Sequence, residues 1–522
     1  MNDVKPGSRL VLRPIAGRVA RAGSRLQAAA LRATVLAVLA LAACGGGPGA
    51  ASGGRAGDRS GAPDSAARRL VRGAVDAMGG EKVLRGLDYL RLRGVEVTSM
   101  VGVSPDSEPP RLLHATFDEL RDVRAGRALR RAEFRMVMRA DPIPVTQVID
   151  TAASSFEAAE GVMYAPERLL LLVLEAPDLA LAPDTSLPGG GVRVVRFGSP
   201  AIRLYLDPAS GLPRGWSTVR TYPRDLNVWA PWGDVRSLTL FGSWALEPDG
   251  LRYPRTITVA RNGTPYRRIS VLGVHEAEAS PDSFATPPGA APPGPVRLGN
   301  GRGSEAVEPA PGVVLVPGAY NVVLVRQGDG VVVLEAPHSG AYSRLVLEEA
   351  ARRWPDLPVK ALVSTTDAWP HDAGVREYVA RGVPIYAPAR GAALIRRLAS
   401  APHRLAPDSL QRAPRPPDLR VVGDTTVIGS GPDQVVLAAV AGPAGGGGRL
   451  LIAFLPERRL LYASDLLIPQ RFEPEFWLGA WTSLLDDVRG HGWAVDTVMA
   501  LHDAPVALSS VRDAVATAAG KE

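Results

Sequence analysis

A stretch rich in proline and glycine, residues 286–312, constrains the fold of this chain more than any other feature. Its sequence is TPPGAAPPGPVRLGNGRGSEAVEPAPG, which has neither the alternation of a strand nor the 3.6-residue apolar period of a helix. Such a composition is typical of a linker. Because 522 residues are enough for two or three domains, we expect a first domain over 65–285 and a second over 313–520.

Positive charge is concentrated at the start of the chain. Residues 1–43 contain seven basic side chains and one acidic side chain, and without them the formal net charge falls from +7 to +1. A chain balanced in this way lacks the basic surface that binding to a phosphate backbone requires. Nucleic acid is therefore not expected as a partner.

An apolar run, residues 33–40, follows this basic segment and is too short to span a bilayer comfortably. After it comes Leu41-Ala42-Ala43-Cys44, and Cys44 is the only cysteine, which excludes intramolecular disulfides. These four residues resemble the bacterial lipobox. The resemblance implies a lipoprotein signal peptide over 1–43 and a membrane anchor at a lipidated Cys44. A free thiol or an ordinary cleavage site is the alternative.

Residues 44–64 have almost no apolar side chains to bury, so we expect a flexible tether. About 20 such residues have a root-mean-square reach of about 25 Å. The residue after Cys44 is Gly45 and not aspartate. By resemblance to Gram-negative lipoprotein sorting, this implies a lipid-anchored protein of the cell envelope, in the outer membrane and facing the periplasm.

The predicted first domain opens with one apolar stripe over 67–78, which is typical of a helix. Ser65 is its expected cap, and Gly79-Gly80 its expected end. Strand-like segments joined by close turns follow and predict an antiparallel meander. The histidines of this domain, His114 and His275, lie far apart in the sequence and indicate no site.

Two segments of the first domain, DAMGGEKVLRGLDYLRLRG (76–94) and DGLRYPRTITV (249–259), resemble the lipoprotein-carrier-like domains of bacterial envelopes. The resemblance implies a mainly antiparallel half-barrel with an N-terminal helix, whose apolar concave face can hold a lipid or acyl chain. The alternative is that the sheet only packs against its neighbour.

The predicted second domain alternates strands with helices, and its first helix, about 341–354, ends before Pro355. The order of its landmarks resembles the metallo-β-lactamase fold. The resemblance implies an α+β chain whose C-terminal part is an αββα sandwich, with metal motifs on loops at one edge. A loop and the helix that follows it, in VSTTDAWPHDAGVREYVARG (363–382), stand where that family has its main histidine motif.

Matching this motif backwards from Gly374 shows which metal ligands the chain lacks. The family's first two histidines and its aspartate are replaced by Thr366, Ala368 and Pro370. The glycine-rich turn over 441–449 contains no histidine. The resemblance therefore implies that one metal position has lost every ligand except the bridging aspartate.

Three of the four ligands of the other metal position remain in this chain: His371, Asp465 and His502. Two imidazoles and a carboxylate suit one Zn²⁺ or Fe²⁺ ion, and no other cofactor is expected. Asp367 and Asp372 are the candidates for the general base that Pro370 displaces.

Two further residues are candidates for lining a pocket at this site, Trp369 and His338. We expect Trp369 to fill the vacated metal space. For His338, a position on the surface is the main alternative.

Two function classes stay open. The first is an envelope-anchored, mononuclear metallo-hydrolase that cleaves an ester, amide or phosphoester. The second is a non-catalytic envelope lipoprotein that binds a lipid or protein partner and carries a metal-free scaffold of the same fold.

Overall fold

The computed structural model describes residues 64–100, 111–135, 141–223, 229–285, 296–299, 306–441, 448–467 and 474–519. The predicted signal peptide, Cys44 and the tether up to residue 63 lie outside these ranges. The described residues within 64–184 and 192–519 belong to the larger of two compact units, and residues 185–191 belong to the smaller. We describe an N-terminal half, within 64–285, and a C-terminal half, within 306–519. None of the described helices is long and apolar enough to cross a membrane.

Among the described residues, the N-terminal half contains one antiparallel sheet of eleven strands in the order β4-β3-β2-β1-β11-β10-β9-β8-β7-β6-β5. The strands are β1 (Tyr89–Met100), β2 (Arg111–Asp122), β3 (Arg127–Arg135), β4 (Ile143–Asp150), β5 (Ala180–Leu187), β6 (Gly190–Phe197), β7 (Ile202–Leu206), β8 (Pro213–Arg220), β9 (Val235–Leu246), β10 (Arg252–Arg261) and β11 (Thr264–Glu276). The predicted antiparallel meander is present.

Within the described part of this half, four α-helices accompany the sheet: α1 (Ser65–Ala77), α2 (Glu81–Gly86), α3 (Phe156–Met163) and α4 (Pro166–Glu175). The predicted cap of α1 is wrong by one residue. The Asp64 carboxylate accepts the N–H groups of Ala66 and Ala67 at 2.8 and 3.4 Å, so Ser65 is already helical. A carboxylate also suits the positive end of the helix dipole.

One face of the sheet is covered by α1 and α4, whose apolar side chains share a core with the strands. The same face carries charge, because Phe117, Glu119 and Arg121 alternate along β2 and point to one side. Arg121 pairs with Glu119 at 2.6 Å and with Glu167 of α4 at 2.8 Å. The inward face is therefore filled partly by a helix and partly by ion pairs.

The described C-terminal half contains two sheets. The first has seven strands in sequence order: β12 (Val307–Ala310), β13 (Val313–Val316), β14 (Val322–Gln327), β15 (Gly330–Leu334), β16 (Val359–Val363), β17 (Ile385–Ala387) and β18 (Leu419–Val421). The second has six, also in sequence order: β19 (Thr425–Ile428), β20 (Val435–Ala439), β21 (Leu451–Leu455), β22 (Leu460–Tyr462), β23 (Thr497–Met499) and β24 (Val506–Ala507).

These two sheets pack face to face. One core is built from alternate residues of β13–β16 and of β19–β23. The outer face of the first sheet packs against helices α5 (Gly340–Arg353), α6 (Val375–Arg381) and α7 (Ala389–Ser400). The outer face of the second packs against α9 (Pro474–Gly490) and α10 (Leu508–Ala519), and α8 (Ser409–Arg412) lies between α7 and β18 in the chain. The layers run helix, sheet, sheet, helix, and the predicted α+β class is confirmed.

The two halves share a core. Tyr222, Trp229, Trp232 and Val235 of the N-terminal half belong to the same apolar cluster as α5, α6 and α7. The predicted linker, 286–312, lies mostly outside the described residues, but its last part is strand β12, which pairs with β13. The C-terminal sheet therefore begins before residue 313.

Candidate metal centre

The loop after β16 is buried and tightly turned. Ser364, Thr365 and Thr366 have at most 1% of their surface exposed. The N–H of His371 then donates to the carbonyl of Ala368 at 3.0 Å, which begins the turn into α6. Gly374 precedes α6, and a Cβ there would clash with Ser343 and with the backbone of Ser339. The loop therefore holds His371 against the core of the sandwich.

The structure brings the three predicted ligands together. His371 lies on the loop after β16, Asp465 on the turn Ser464–Leu466 after β22, and His502 after β23. Their ligand atoms lie within 4.8 Å of one another. Asp465 Oδ2 is 3.3 Å from His371 Nδ1, and Asp465 Oδ1 is 3.2 Å from His502 Nε2.

The ring orientation of His502 is set by the turn before β14. Its Nδ1–H donates to the carbonyl oxygen of Ala319 at 2.9 Å. In the neutral tautomer, Nε2 then presents a lone pair to the carboxylate of Asp465, so a proton or a cation must lie between them. Burial lowers the pKa of His502, but the hydrogen bond and charge of Asp465 outweigh burial and raise it.

His371 is neutral at physiological pH. It is 3% exposed, and this burial lowers its pKa to about 4 against the opposing charge of Asp465. Among the described residues, its buried Nδ1 has no hydrogen-bond partner. A neutral imidazole with an unused lone pair beside a carboxylate is the donor that zinc and ferrous ions take, so the three residues fit such an ion.

The two base candidates lie outside this group of three. The Asp367 carboxylate pairs with the guanidinium of Arg449 at 2.8 Å, which ties the loop after β16 to the end of the glycine-rich turn. Asp372 is fully buried, and burial raises its pKa to about 8 against the hydroxyl of Ser364. A carboxyl that is protonated at neutral pH is a weak base, so Asp372 is not in the state that a general base needs, and the carboxylate of Asp367 is engaged by Arg449.

Trp369 and His338 are both buried. The Trp369 ring packs against Trp229 and Trp232, with ring centroids 5.4 and 5.0 Å apart, so it faces the N-terminal half. His338 is 5% exposed and therefore buried, not on the surface. It packs against Tyr342 at a centroid distance of 4.6 Å.

Sequence reasoning missed Glu335, which ends the apolar strand β15. It is fully buried, has a left-handed φ of 75°, and accepts the hydroxyl of Thr365, which also lies 2.5 Å from the hydroxyl of Ser464. Burial, together with Asp372 and Asp465, raises the pKa of Glu335 well above its usual range. The sequence signal for Glu335 was an acidic residue at the end of the apolar run VVVLE.

It also missed Tyr320 and Asn321, on the turn between β13 and β14. The Asn321 side-chain amide donates to the carbonyls of Ala500 and Asp503, each at 2.8 Å. These bonds join the turn to the loop that carries His502. The only sequence signal was a polar dipeptide between two apolar strands, and this signal does not indicate which residues the dipeptide contacts.

Comparison with solved structures finds partial likeness to metallo-β-lactamases. One is FIM-1 from Pseudomonas aeruginosa in its mono-zinc form, with 16% identity, a TM-score of 0.31, and coverage of 42% of this chain and 95% of that one. Another is from Pontibacter korlensis, with 16% identity, a TM-score of 0.31, and coverage of 41% and 98%. A third is DIM-1, with 12% identity, a TM-score of 0.31, and coverage of 42% and 98%.

No family model and no curated protein sequence matches the chain. At these identities and TM-scores the structural likeness adds nothing to the case for the site. That case rests on the side chains described above.

Proposed function

We propose that the C-terminal half is a metallo-β-lactamase-like hydrolase domain that uses one metal ion. The observation that carries the proposal is the convergence of His371, Asp465 and His502 from three loops at one edge of the sandwich, with their ligand atoms within 4.8 Å. Three protein ligands with open positions are typical of catalytic zinc sites. A bound metal would lower the pKa of a water molecule and polarise the carbonyl or phosphoryl group of an ester, amide or phosphoester.

Each of the three residues has a distinct part in this proposal. His371 supplies a neutral nitrogen from a buried position. His502 supplies Nε2, because Ala319 engages its Nδ1–H. Asp465 supplies the negative charge and faces both imidazoles.

Metal analysis of the purified full chain tests the proposal. We expect about one zinc or iron per chain in the wild type, none in the His371→Ala/His502→Ala double variant, and hydrolysis of an ester, amide or phosphoester that is lost with the metal. The His114→Ala/His275→Ala variant is a matched control, since it also removes two histidines. Two metals per chain would refute the single site, and no metal after loading would refute metal binding.

The second candidate is a non-catalytic scaffold. It is favoured by the Asp367–Arg449 ion pair, which joins two loops of the site without a metal. Under it, neither the wild type nor an Arg449→Met variant takes up zinc, and the wild type hydrolyses none of the three substrate classes.

We also propose that Cys44 is lipidated and anchors the protein in the outer membrane, facing the periplasm. The motif Leu41-Ala42-Ala43-Cys44 supports it. Two or more acyl chains anchor stably, since each buried CH₂ contributes about 0.8 kcal/mol. Cys44→Ala should abolish both lipid attachment and processing at that residue. A soluble wild-type protein with an unmodified cysteine would refute the proposal.

A lipid or acyl-chain ligand of the N-terminal half is a separate proposal. The eleven-stranded antiparallel order supports a lipoprotein-carrier-like sheet. Because α1 and α4 cover the inward face, the ligand must displace a helix or lie beside one. Native mass spectrometry of the protein purified without detergent should show bound lipid, and its absence after incubation with phospholipid vesicles would refute the proposal.

A further inference from the structure

The Tyr320 ring lies among three histidines. Its centroid is 4.8 Å from that of His371, 5.1 Å from that of His502 and 5.2 Å from that of His338. Two of the three are the imidazoles of the candidate metal centre. One ring therefore packs against both imidazoles.

The backbone that carries this ring is firmly held. The N–H of Asn321 donates to the carbonyl of Leu501 at 2.6 Å, and its side-chain amide holds the carbonyls of Ala500 and Asp503. The N–H of Gly318 donates to Asn321 Oδ1 at 3.0 Å. Tyr320 thus belongs to a turn with little freedom, bonded to the loop of His502.

The two imidazoles differ in how their rings are oriented. His502 has its hydrogen bond to Ala319, which sets its rotation. The buried Nδ1 of His371 lies 3.3 Å from Asp465 Oδ2 but has no hydrogen bond among the described residues that would do the same. Metal-ligating histidines are normally oriented by such a bond. For His371, packing must do this instead, and Tyr320 is the nearest ring, inclined at 55° to it.

We infer that Tyr320 is a positioning residue of the metal centre, whose ring holds His371, and with it His502, in the orientation that binds the ion. The inference rests on the proposed function. It assigns the effect to the ring and not to the hydroxyl. Phenylalanine at position 320 should therefore preserve metal affinity, and an aliphatic side chain at that position should not.

Zinc affinity of the full chain tests the inference, by competition with a chromophoric chelator. We expect Tyr320→Leu to bind about 10–100-fold more weakly, as on loss of an outer-shell partner, and Tyr320→Phe to bind within about threefold of the wild type. Tyr342→Leu is the matched control, because Tyr342 packs against His338 at 4.6 Å and against neither ligand. Equal affinity in Tyr320→Leu, or an equal loss in Tyr320→Phe or Tyr342→Leu, would overturn the inference.

A second measurement separates the inference from metal binding itself. In the metal-free protein with isotopically labelled histidine, the ring-proton resonances of His371 and His502 should move in Tyr320→Leu and stay in place in Tyr342→Leu. The Co²⁺ absorption spectrum should change in the same variant only. If the wild type binds no metal but the resonances move, the proposed hydrolase fails and the packing role stands. If zinc binds and the resonances do not move, the positioning role fails alone.

Discussion

Each half of the molecule buries a cluster of charged side chains, and the two clusters balance their charges differently. In the N-terminal half, the carboxylates of Glu96, Glu119 and Glu167 meet Arg121 and Arg130 at 2.6–2.8 Å. Although burial opposes it, the two arginines lower the pKa of Glu119 to about 2. This cluster contains its own cations.

Around the candidate metal centre of the C-terminal half, two buried acids meet hydroxyls and imidazoles. Glu335 is bonded to Thr365, and Asp465 faces His371 and His502. Here burial and neighbouring acids raise the pKa of Glu335. The difference teaches that each charge of the first network has a partner within the protein, whereas the second leaves a carboxylate facing two imidazoles, an arrangement that could accept a cation.

The largest expected effect is the loss of a carboxylate from the N-terminal network. Glu119→Ala leaves Arg121 and Arg130 without one of their buried partners, which should lower the free energy of unfolding by about 3–5 kcal/mol. Urea denaturation measures the change. Glu133→Ala, exposed on β3, is the control and should change stability by less than about 0.5 kcal/mol. An equal loss of unfolding free energy in the two variants would show that the buried network contributes no more to stability than an exposed glutamate does.

The pH dependence of the same carboxylate comes next. The pKa of Glu119 falls from 4.5 to about 2 on folding, so its contribution of about 3 kcal/mol is complete above pH 4.5 and is lost as the pH falls toward 2. The stability difference between wild type and Glu119→Gln should therefore shrink as the pH falls below 4.5. A difference that stays constant to pH 3 would contradict the pairing.

Around the candidate metal centre, we expect the stability of the protein to depend on bound zinc and not on the charge of Asp465. Asp465→Asn should abolish the rise in melting temperature that zinc produces in the wild type. That rise corresponds to about 2.7 kcal/mol at a zinc concentration one hundred times the Kd. The variant without zinc should be as stable as the wild type without zinc. Differential scanning calorimetry with and without zinc distinguishes these outcomes, and a zinc response in the variant would remove Asp465 from the site.

The smallest effect is expected for an ion pair on the surface. Arg459 and Asp496 lie 2.6 Å apart, but more than half of each side chain is exposed. Water and salt screen such a pair, so Asp496→Ala should cost less than about 1 kcal/mol. Urea denaturation in low and high salt measures it. A cost close to that of Glu119→Ala would erase the contrast between buried and exposed pairs.

Much of the fold could be predicted from the sequence, because it follows from local patterns. The antiparallel meander of the N-terminal half follows from strand-like segments joined by close turns, and the structure contains it. The choice of Ser65 over Asp64 as cap failed because both residue types cap helices. Only the geometry of the first helical turn shows which of the two residues is the cap.

The sequence predicts the three side chains that the structure brings together, but not what surrounds them. His371, Asp465 and His502 follow recognisable strands, so the order of the landmarks located them. The contact of Tyr320 with His502 joins residues 182 positions apart, and it produces no periodic pattern in the sequence from which it could be predicted. The packing of Trp369 against Trp229 likewise depends on how the two halves meet, which no local pattern encodes.

The contact between Trp369 and the rings of Trp229 and Trp232 has a consequence for the covalent link between the halves. Aromatic surface of this kind keeps two polypeptides associated without a peptide bond. A nick between residues 286 and 306 would then leave two fragments that migrate separately on a denaturing gel and elute together in gel filtration. The linker would then be needed to make both halves as one chain, and the contact between the tryptophans would keep them associated after cleavage.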